Sequence, residues 1–498
     1  VCAAAHAGRT KHICEYGGFS GKSNILLLIN IGCKKKDSAI KSATSQIYKP
    51  LCVIIKRTIP MQKSILLIYI FINSLFAYSQ DFDKGKMDSL FYKIEKYDKG
   101  MGSISIFKNG NEVYHKSYGH ENIEEGIHTT KMTKYCIGSI TKSFTATIIM
   151  QLAEENKLSL NTKLSKFFPE IPNSQQITIE QLLRHRSGLV NYTDKPDFLK
   201  WSDTLRTKEE MIGRFVENGI LFKPEEKSKY CNTGYVLLSY IAQEIEEKEY
   251  AEILEERIID PLNLEATYFS KSYGKKENEA QSYFKYGSWK AGGVSNLGNY
   301  DGAGGIVSNP TDLNTFFYAL FSGKIVSMNS LQKMKTIVDG YGIGMYQLPF
   351  YERSALGHAG DIGGFQSVSE YFLEDSMMFS FIANGIAMSR NDILEGVLSI
   401  YFGREYNLPS FTTYKVSNAD LDKYLGVYSS PYSPYKLIFT KKNGMLLCTP
   451  TDQPSLPMEA IEKHKFRFSQ ADLKIIFILD EDKIIVNQGG DETFYKEK

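Results

Sequence analysis

The sequence predicts a mixed α/β (α+β) protein: a mixed, mainly antiparallel sheet flanked by helices and joined to an all-α cluster, followed by a small C-terminal all-β barrel or sandwich. Three observations predict it. Strand-like alternation occurs in "GSISIFKNGNEVYHKSYG" and again, far along the chain, in "ALGHAGDIGGFQSVSEYFLEDSMMFSFIANG". Between them lie apolar segments with helical spacing. From Asp420 onward the chain turns to short strands and turns, "YLGVYSS", "YKLIFT-KKNG-MLLCTP", "HKFRFS", "LKIIFIL" and "KIIVNQ", an all-β unit.

Each element has a local reason. Residues 87–97 read as a short opening helix. Asn109-Gly110 marks a hairpin, because both central residues of a type I′ turn need positive φ. In "GSITKSFTATII" the apolar residues Phe144, Ile148, Ile149 and, just beyond, Leu152 recur at helical spacing. "ITIEQLLRHRSGL" predicts a helix stopped near Gly188. "NTGYVLLSYIAQEIEEKEYAEILEERIIDPL" is a long amphipathic stretch, broken around Lys248 and closed by Pro261. "GAGGIVSNPTDLNTFFYALFSG" passes from a glycine-rich loop into a helix, with Asn309-Pro310-Thr311-Asp312 as its start signal. Composition shifts near Leu408-Pro409, so one domain is expected over residues 80–408 and a second over residues 409–498.

The chain has 498 residues, and its 32 Tyr and 29 Phe argue against disorder. The net charge of +2 is unevenly spread: residues 1–60 hold 10 Lys/Arg and 2 Asp/Glu, leaving 49 against 55 in the remainder. That remainder is mildly acidic, which argues against a nucleic-acid partner. Residues 1–60 look foreign to the rest, with four of the seven cysteines (Cys2, Cys14, Cys33, Cys52), and are expected to be a mis-called upstream extension. The following "MQKSILLIYIFINSLFAYSQDF" reads as a secretory signal over residues 61–79, with Met61 as initiator and a mature start near Gln80. A membrane partner is expected only if that segment stays uncleaved. Cys136, Cys231 and Cys448 are too few for a disulfide framework. His115, His120 and His128 lack metal-ligand spacing, and neither a metal nor a cofactor is expected.

Chemistry concentrates at Ser139. A Ser-x-x-Lys pattern alone is weak, since it recurs at Ser38, Ser272, Ser330 and Ser433 among others. At Ser139 it follows Gly138 where a loop enters an apolar helix. A spacing of three puts Lys142 on the same helix face as Ser139. Burial near a helix N-terminus then favours the neutral, proton-accepting amine. A capping serine beside a solvated lysine reads equally well from this motif alone. "KYCNTGYVLL" supplies Tyr230 and Asn232 before another apolar helix, and "GHAGDIGGF" supplies His358 and Gly360 on a strand. Singly these read as an aromatic helix-start residue, a helix cap and a carbonyl-bonded histidine.

Taken in order, "IGSITKSFTA", "ITIEQLLRHRSGL", "YCNTGYVLL", "DPLNLEATYF", "GAGGIVSNPTDL", "YGIGM" and "GHAGDIGGF" resemble the serine β-lactamase and penicillin-binding-protein superfamily. The resemblance is closest to its class C-like, D-amino-acid peptidase and esterase branch. It implies a β-lactamase/transpeptidase-like fold, and together with the signal-like segment it implies secretion across the inner membrane to a periplasmic or extracellular location. It further implies Ser139 as acylated nucleophile, Lys142 as its base, and Tyr230 as the group passing the proton to the leaving group and helping activate water. Asn232 would hold Lys142 and a substrate amide oxygen, His358 would line the substrate strand where many relatives carry lysine, and Gly360 would admit the substrate backbone. The amides of Ser139 and Asp361 would form the oxyanion hole. His185 is assigned to packing. A histidine at 358 lacks a fixed positive charge at neutral pH, which favours peptide, D-aminoacyl or ester substrates over β-lactams. The resemblance therefore implies a serine hydrolase for a small-molecule or peptide substrate. A carboxylesterase with incidental lactam turnover and a non-catalytic penicillin-binding sensor are the alternatives.

Overall fold

Strands β1 (Gly100–Lys108) and β2 (Asn111–Tyr118) form the expected hairpin, with Asn109 and Gly110 at φ 51° and 79°. They join β3 (Tyr346–Phe350), β4 (Arg353–Ile362), β5 (Phe365–Phe372) and β6 (Met377–Ile386) in one antiparallel sheet ordered β3-β4-β5-β6-β1-β2. The hairpin and the late strands therefore meet because β1 pairs with β6, from Gly100↔Ile386 to Lys108↔Met377. The computed structural model describes residues 82–497 apart from Lys275, Val294, Ser295, Thr412, Thr413, residues 469–472 and Gly489. The extension and signal expected over residues 1–79 lie outside the described residues.

Successive residues of a strand face opposite sides of a sheet, and β5 shows both coverings. Ser369 bonds Ser380, which bonds Asn314 of the helix Pro310–Phe321. Phe372 packs on Phe402, at the end of the helix Arg390–Tyr401. The opening helix, Lys84–Lys96, lies beside that last helix and buries Met87, Leu90, Phe91 and Ile94. The helix at Pro310 starts as its sequence predicts: Asn309 Oδ1 accepts from Asp312 N at 2.8 Å, and Pro310 occupies the first turn where no amide is needed.

The helix Thr141–Glu154 departs from a simple apolar stripe. Every residue from Thr141 to Met150 is buried, the mark of a helix enclosed on all sides rather than lying on a surface. Phe144 stacks on Phe316 with ring centroids 3.7 Å apart. The helix expected through "ITIEQLLRHRSGL" spans only Ile179–Leu183, because His185 takes a left-handed φ of 58°. The helix Asn232–Glu246 ends at left-handed Glu247, next to the break expected around Lys248.

The C-terminal unit is a closed eight-stranded antiparallel barrel: β7 (Gly426–Ser429), β8 (Leu437–Lys442), β9 (Met445–Pro450), β10 (Leu456–Glu462), β11 (Lys465–Phe468), β12 (Leu473–Ile478), β13 (Lys483–Asn487) and β14 (Asp491–Lys496). Closure by β7 against β14 decides between the barrel and the sandwich. The strands β10 and β14 are absent from the sequence reading, since "LPMEAIE" contains a proline and "DETFYK" is polar for most of its length. Lys99 Nζ reaches Glu459 Oε1 on the barrel at 2.6 Å.

Candidate active site

Ser139 lies in a tight turn, Gly138–Ile140, that runs directly into the helix Thr141–Glu154. Gly138 is needed there: its φ is 52°, and a Cβ would stand 3.0 Å from Asp361 N. One helical turn on, Lys142 is fully buried, with Nζ 3.1 Å from Ser139 Oγ and donating to the Ala303 carbonyl at 2.6 Å. Burial pulls the Lys142 amine well below its ordinary pKa, and no carboxylate counters it. Enclosure of this hub helix thus disfavours the charge that the side chain would carry in water.

Tyr230 borders this pair. Its ring centroid is 4.8 Å from Lys142 Nζ, and its hydroxyl is enclosed without a hydrogen-bond partner among the described residues. Burial pushes the phenol up, while the nearby Ser139 hydroxyl pulls the other way without meeting hydrogen-bond geometry. Burial therefore disfavours both charged forms, the ammonium of Lys142 and the phenolate of Tyr230. His185, expected only to pack, packs against this very residue: its ring centroid is 4.6 Å from that of Tyr230 and 4.9 Å from that of Tyr341. Its Nδ1 accepts from Cys231 N at 3.1 Å, which ties the left-handed turn to the loop carrying Tyr230.

His358, Gly360 and Asp361 all lie on β4. Its neighbour β3 pairs only as far as Tyr346↔Gly357, leaving residues 358–362 uncovered on that edge. The Ala359 amide donates to Tyr346 Oη at 2.9 Å. Two residues on, the Asp361 amide leaves by the same edge, toward Gly138. The Ser139 amide is equally close to Gly360, where a Cβ would stand 2.9 Å from it and 2.0 Å from the Ile137 carbonyl. Gly360→Ala is expected to lower turnover roughly 100-fold and to cost about 1–3 kcal/mol by overpacking; steady-state kinetics and urea denaturation check both.

His358 is buried, with Nδ1 2.6 Å from its neighbour's carbonyl at Ala359. Burial, and then Lys142, push its pKa down to about 3, so it is neutral. The Asp361 carboxylate pairs with Arg390 at 3.0 Å, away from the nucleophile. Asn232 Nδ2 donates to Thr193 Oγ1 at 2.9 Å, and Lys142 Nζ donates to the Ala303 carbonyl at 2.6 Å. That carbonyl, on the turn Asp301–Gly304, escaped the sequence reading because a main-chain acceptor has no side-chain signature; "GAGGIVSNPTDL" was its only trace. Tyr346 was likewise not singled out. Cys136 is buried, and burial raises its thiol, as suits an inert core residue. His120 and His128 stack at 4.3 Å on a hairpin, apart from His115, and among the described residues no group of three or more His, Cys, Asp or Glu is disposed to hold a metal.

An antiparallel sheet packed on a helical lobe, with an accessible serine and a buried lysine at the start of the hub helix, defines a β-lactamase-like serine hydrolase. The Beta-lactamase family matches residues 93–391, and the chain belongs to that family. It is 31% identical over 291 residues to the teichoic acid D-alanine hydrolase of Staphylococcus aureus, covering 55% of this chain and 70% of that protein. Among solved structures it is similar to the D-amino acid amidase of Ochrobactrum anthropi SV3, with a TM-score of 0.55 and 26% identity over 63% of this chain and 99% of that one. The octameric penicillin-binding protein homologue of Pyrococcus abyssi gives a TM-score of 0.58 and 27% identity over 83% of this chain and all of that one. The protein is accordingly an enzyme, a β-lactamase-related serine hydrolase.

Proposed function

We propose that the protein is an exported hydrolase that cleaves D-aminoacyl ester or amide bonds through an acyl-enzyme on Ser139. The observation that carries this reading is the fully buried Lys142 amine 3.1 Å from the Ser139 hydroxyl, where burial disfavours its charged form. Lys142 takes the Ser139 proton as Oγ attacks the substrate carbonyl. The oxyanion is met by the amides of Ser139 and Asp361, each such donor being worth roughly 3–4 kcal/mol. Tyr230 gives its proton to the leaving alkoxide or amine and regains one from Lys142. Water, deprotonated by the same pair, then releases the acid and restores Ser139.

The substrate class is supported by two relatives, one named for D-alanine and one for D-amino acids. A neutral His358 offers no cation for a substrate carboxylate, which favours aminoacyl esters or amides whose carboxyl is already engaged. Asn232 and Gly360 line the cleft beside it. The relative named for teichoic acid supports a cell-envelope or extracellular location, in keeping with the signal expected over residues 61–79; among the described residues no helix is long and apolar enough to cross a membrane. A panel of D-alanyl and L-alanyl p-nitrophenyl esters and amides, with a cephalosporin, tests the reading. D-alanyl substrates should exceed their L-counterparts by at least about tenfold in kcat/KM. Equal turnover of both enantiomers and of simple acetate would establish the carboxylesterase instead, and a stable unreleased adduct would establish the sensor.

A further inference from the structure

Main-chain groups of an antiparallel strand point by turns to its two neighbours, so every second residue faces the same edge. In β4 the two-residue turn between Phe350 and Arg353 sets the odd-numbered residues toward β3, and the N–H and C=O of Gly357, Ala359 and Asp361 all face that side. β3 stops at Tyr346↔Gly357. The residue that this register would set opposite Ala359 is Gly344, and it has turned away. Its φ is 70°, its amide donates to Tyr235 Oη at 3.1 Å and its carbonyl accepts from Ser143 Oγ at 2.6 Å. Side chains take the place of that strand. Tyr346 Oη accepts from the Ala359 amide at 2.9 Å, and the Ala359 carbonyl accepts from His358 Nδ1 at 2.6 Å. The two rings meet edge to face with centroids 4.9 Å apart. Both main-chain groups of Ala359 are thus engaged from within the protein.

This closure stands on one side of the reacting bond. The turn bearing Ser139 lies against Gly360 and Asp361. In the proposed reaction Tyr230 hands its proton to the leaving group, and the Tyr230 ring lies 6.2 Å from that of His358. The leaving group therefore departs past His358 and Ala359. An extended peptide held on a sheet edge takes its affinity from main-chain hydrogen bonds, and at Ala359 the edge has none to give. An alcohol or ammonia needs none.

We propose that Tyr346 determines leaving-group specificity: by closing the edge at Ala359 it makes the enzyme release alcohols or ammonia and discriminate against peptide leaving groups. The inference rests on the hydrolytic reading and narrows it to aminoacyl esters and primary amides. Two substrate pairs test it, each sharing its acyl group and bond type. One sets D-alanine methyl ester against the D-alanyl ester of glycolamide, the other D-alaninamide against D-alanyl-glycinamide. The longer member adds an uncharged peptide-like arm to the leaving group, so no carboxylate enters the comparison. In the wild type the short member should exceed the long one by at least about tenfold in kcat/KM. Tyr346→Ala frees the Ala359 amide and clears the ring, and should shrink that ratio by about tenfold; Tyr346→Phe keeps the ring, removes only the oxygen, and should shrink it by about threefold. The ratio cancels any loss of folded protein or of catalysis common to both substrates, and the phenylalanine variant preserves the packing on His358. Equal turnover of short and long substrates by the wild type overturns the proposal, as does a ratio that neither substitution changes. Failure of every substrate in both pairs removes the hydrolytic reading and this inference with it, a result distinct from an unchanged ratio.

Discussion

Replacing Ser139 with alanine is expected to lower kcat by roughly 10⁴–10⁶-fold and to abolish labelling by a fluorophosphonate. The serine hydroxyl lies 3.1 Å from the buried Lys142 amine, whose charged form burial disfavours. Cys136 sits close in sequence, but its thiol is buried and held protonated. Fold stability should hold, because Ser139 is half-buried and its side chain contributes one hydrogen bond. Intact-mass spectrometry after probe treatment reads the first outcome and urea denaturation the second. Labelling of the alanine variant at another residue would remove Ser139 as nucleophile.

Lys142→Met should reduce acylation by about 10²–10⁴-fold, the usual share of a positioned general base. It should also change how stability responds to pH. Burial holds the native amine well below its ordinary 10.5. Between that depressed value and 10.5 the unfolded chain carries a proton that the native protein does not, so stability rises with pH across the window. Methionine fills similar volume, carries no proton and abolishes that slope. Denaturation midpoints at several pH values above neutrality distinguish the two proteins. A variant that kept both near-full acylation and the same pH slope would show that Lys142 is not the base.

The legibility of the site follows distance along the chain. Ser139 and Lys142 stand three residues apart, so helical geometry alone sets them on one face, and their pairing could be read from "GSITK". Tyr230 and His358 were reached only through the order of the blocks, since nothing local ties either to residue 139. The Ala303 carbonyl, which accepts from Lys142, and Thr193, which accepts from Asn232, carry no signature in the sequence. His185 was read as packing, but its left-handed turn, invisible in "LLRHRSGL", sets it against Tyr230.

The sequence by itself determined the β hairpin at Asn109-Gly110, the helix start at Asn309-Pro310 and the change to an all-β unit, because these depend on periodicity and on backbone preferences within a few residues. Tertiary structure decided the protonation states and the acceptors. Lys142 loses water because its own helix and the turn at Ala303 close around it, and that enclosure is what disfavours its charge. The barrel's closure, and the pairing of Tyr428 with Lys496 across it, depend likewise on which strand ends meet.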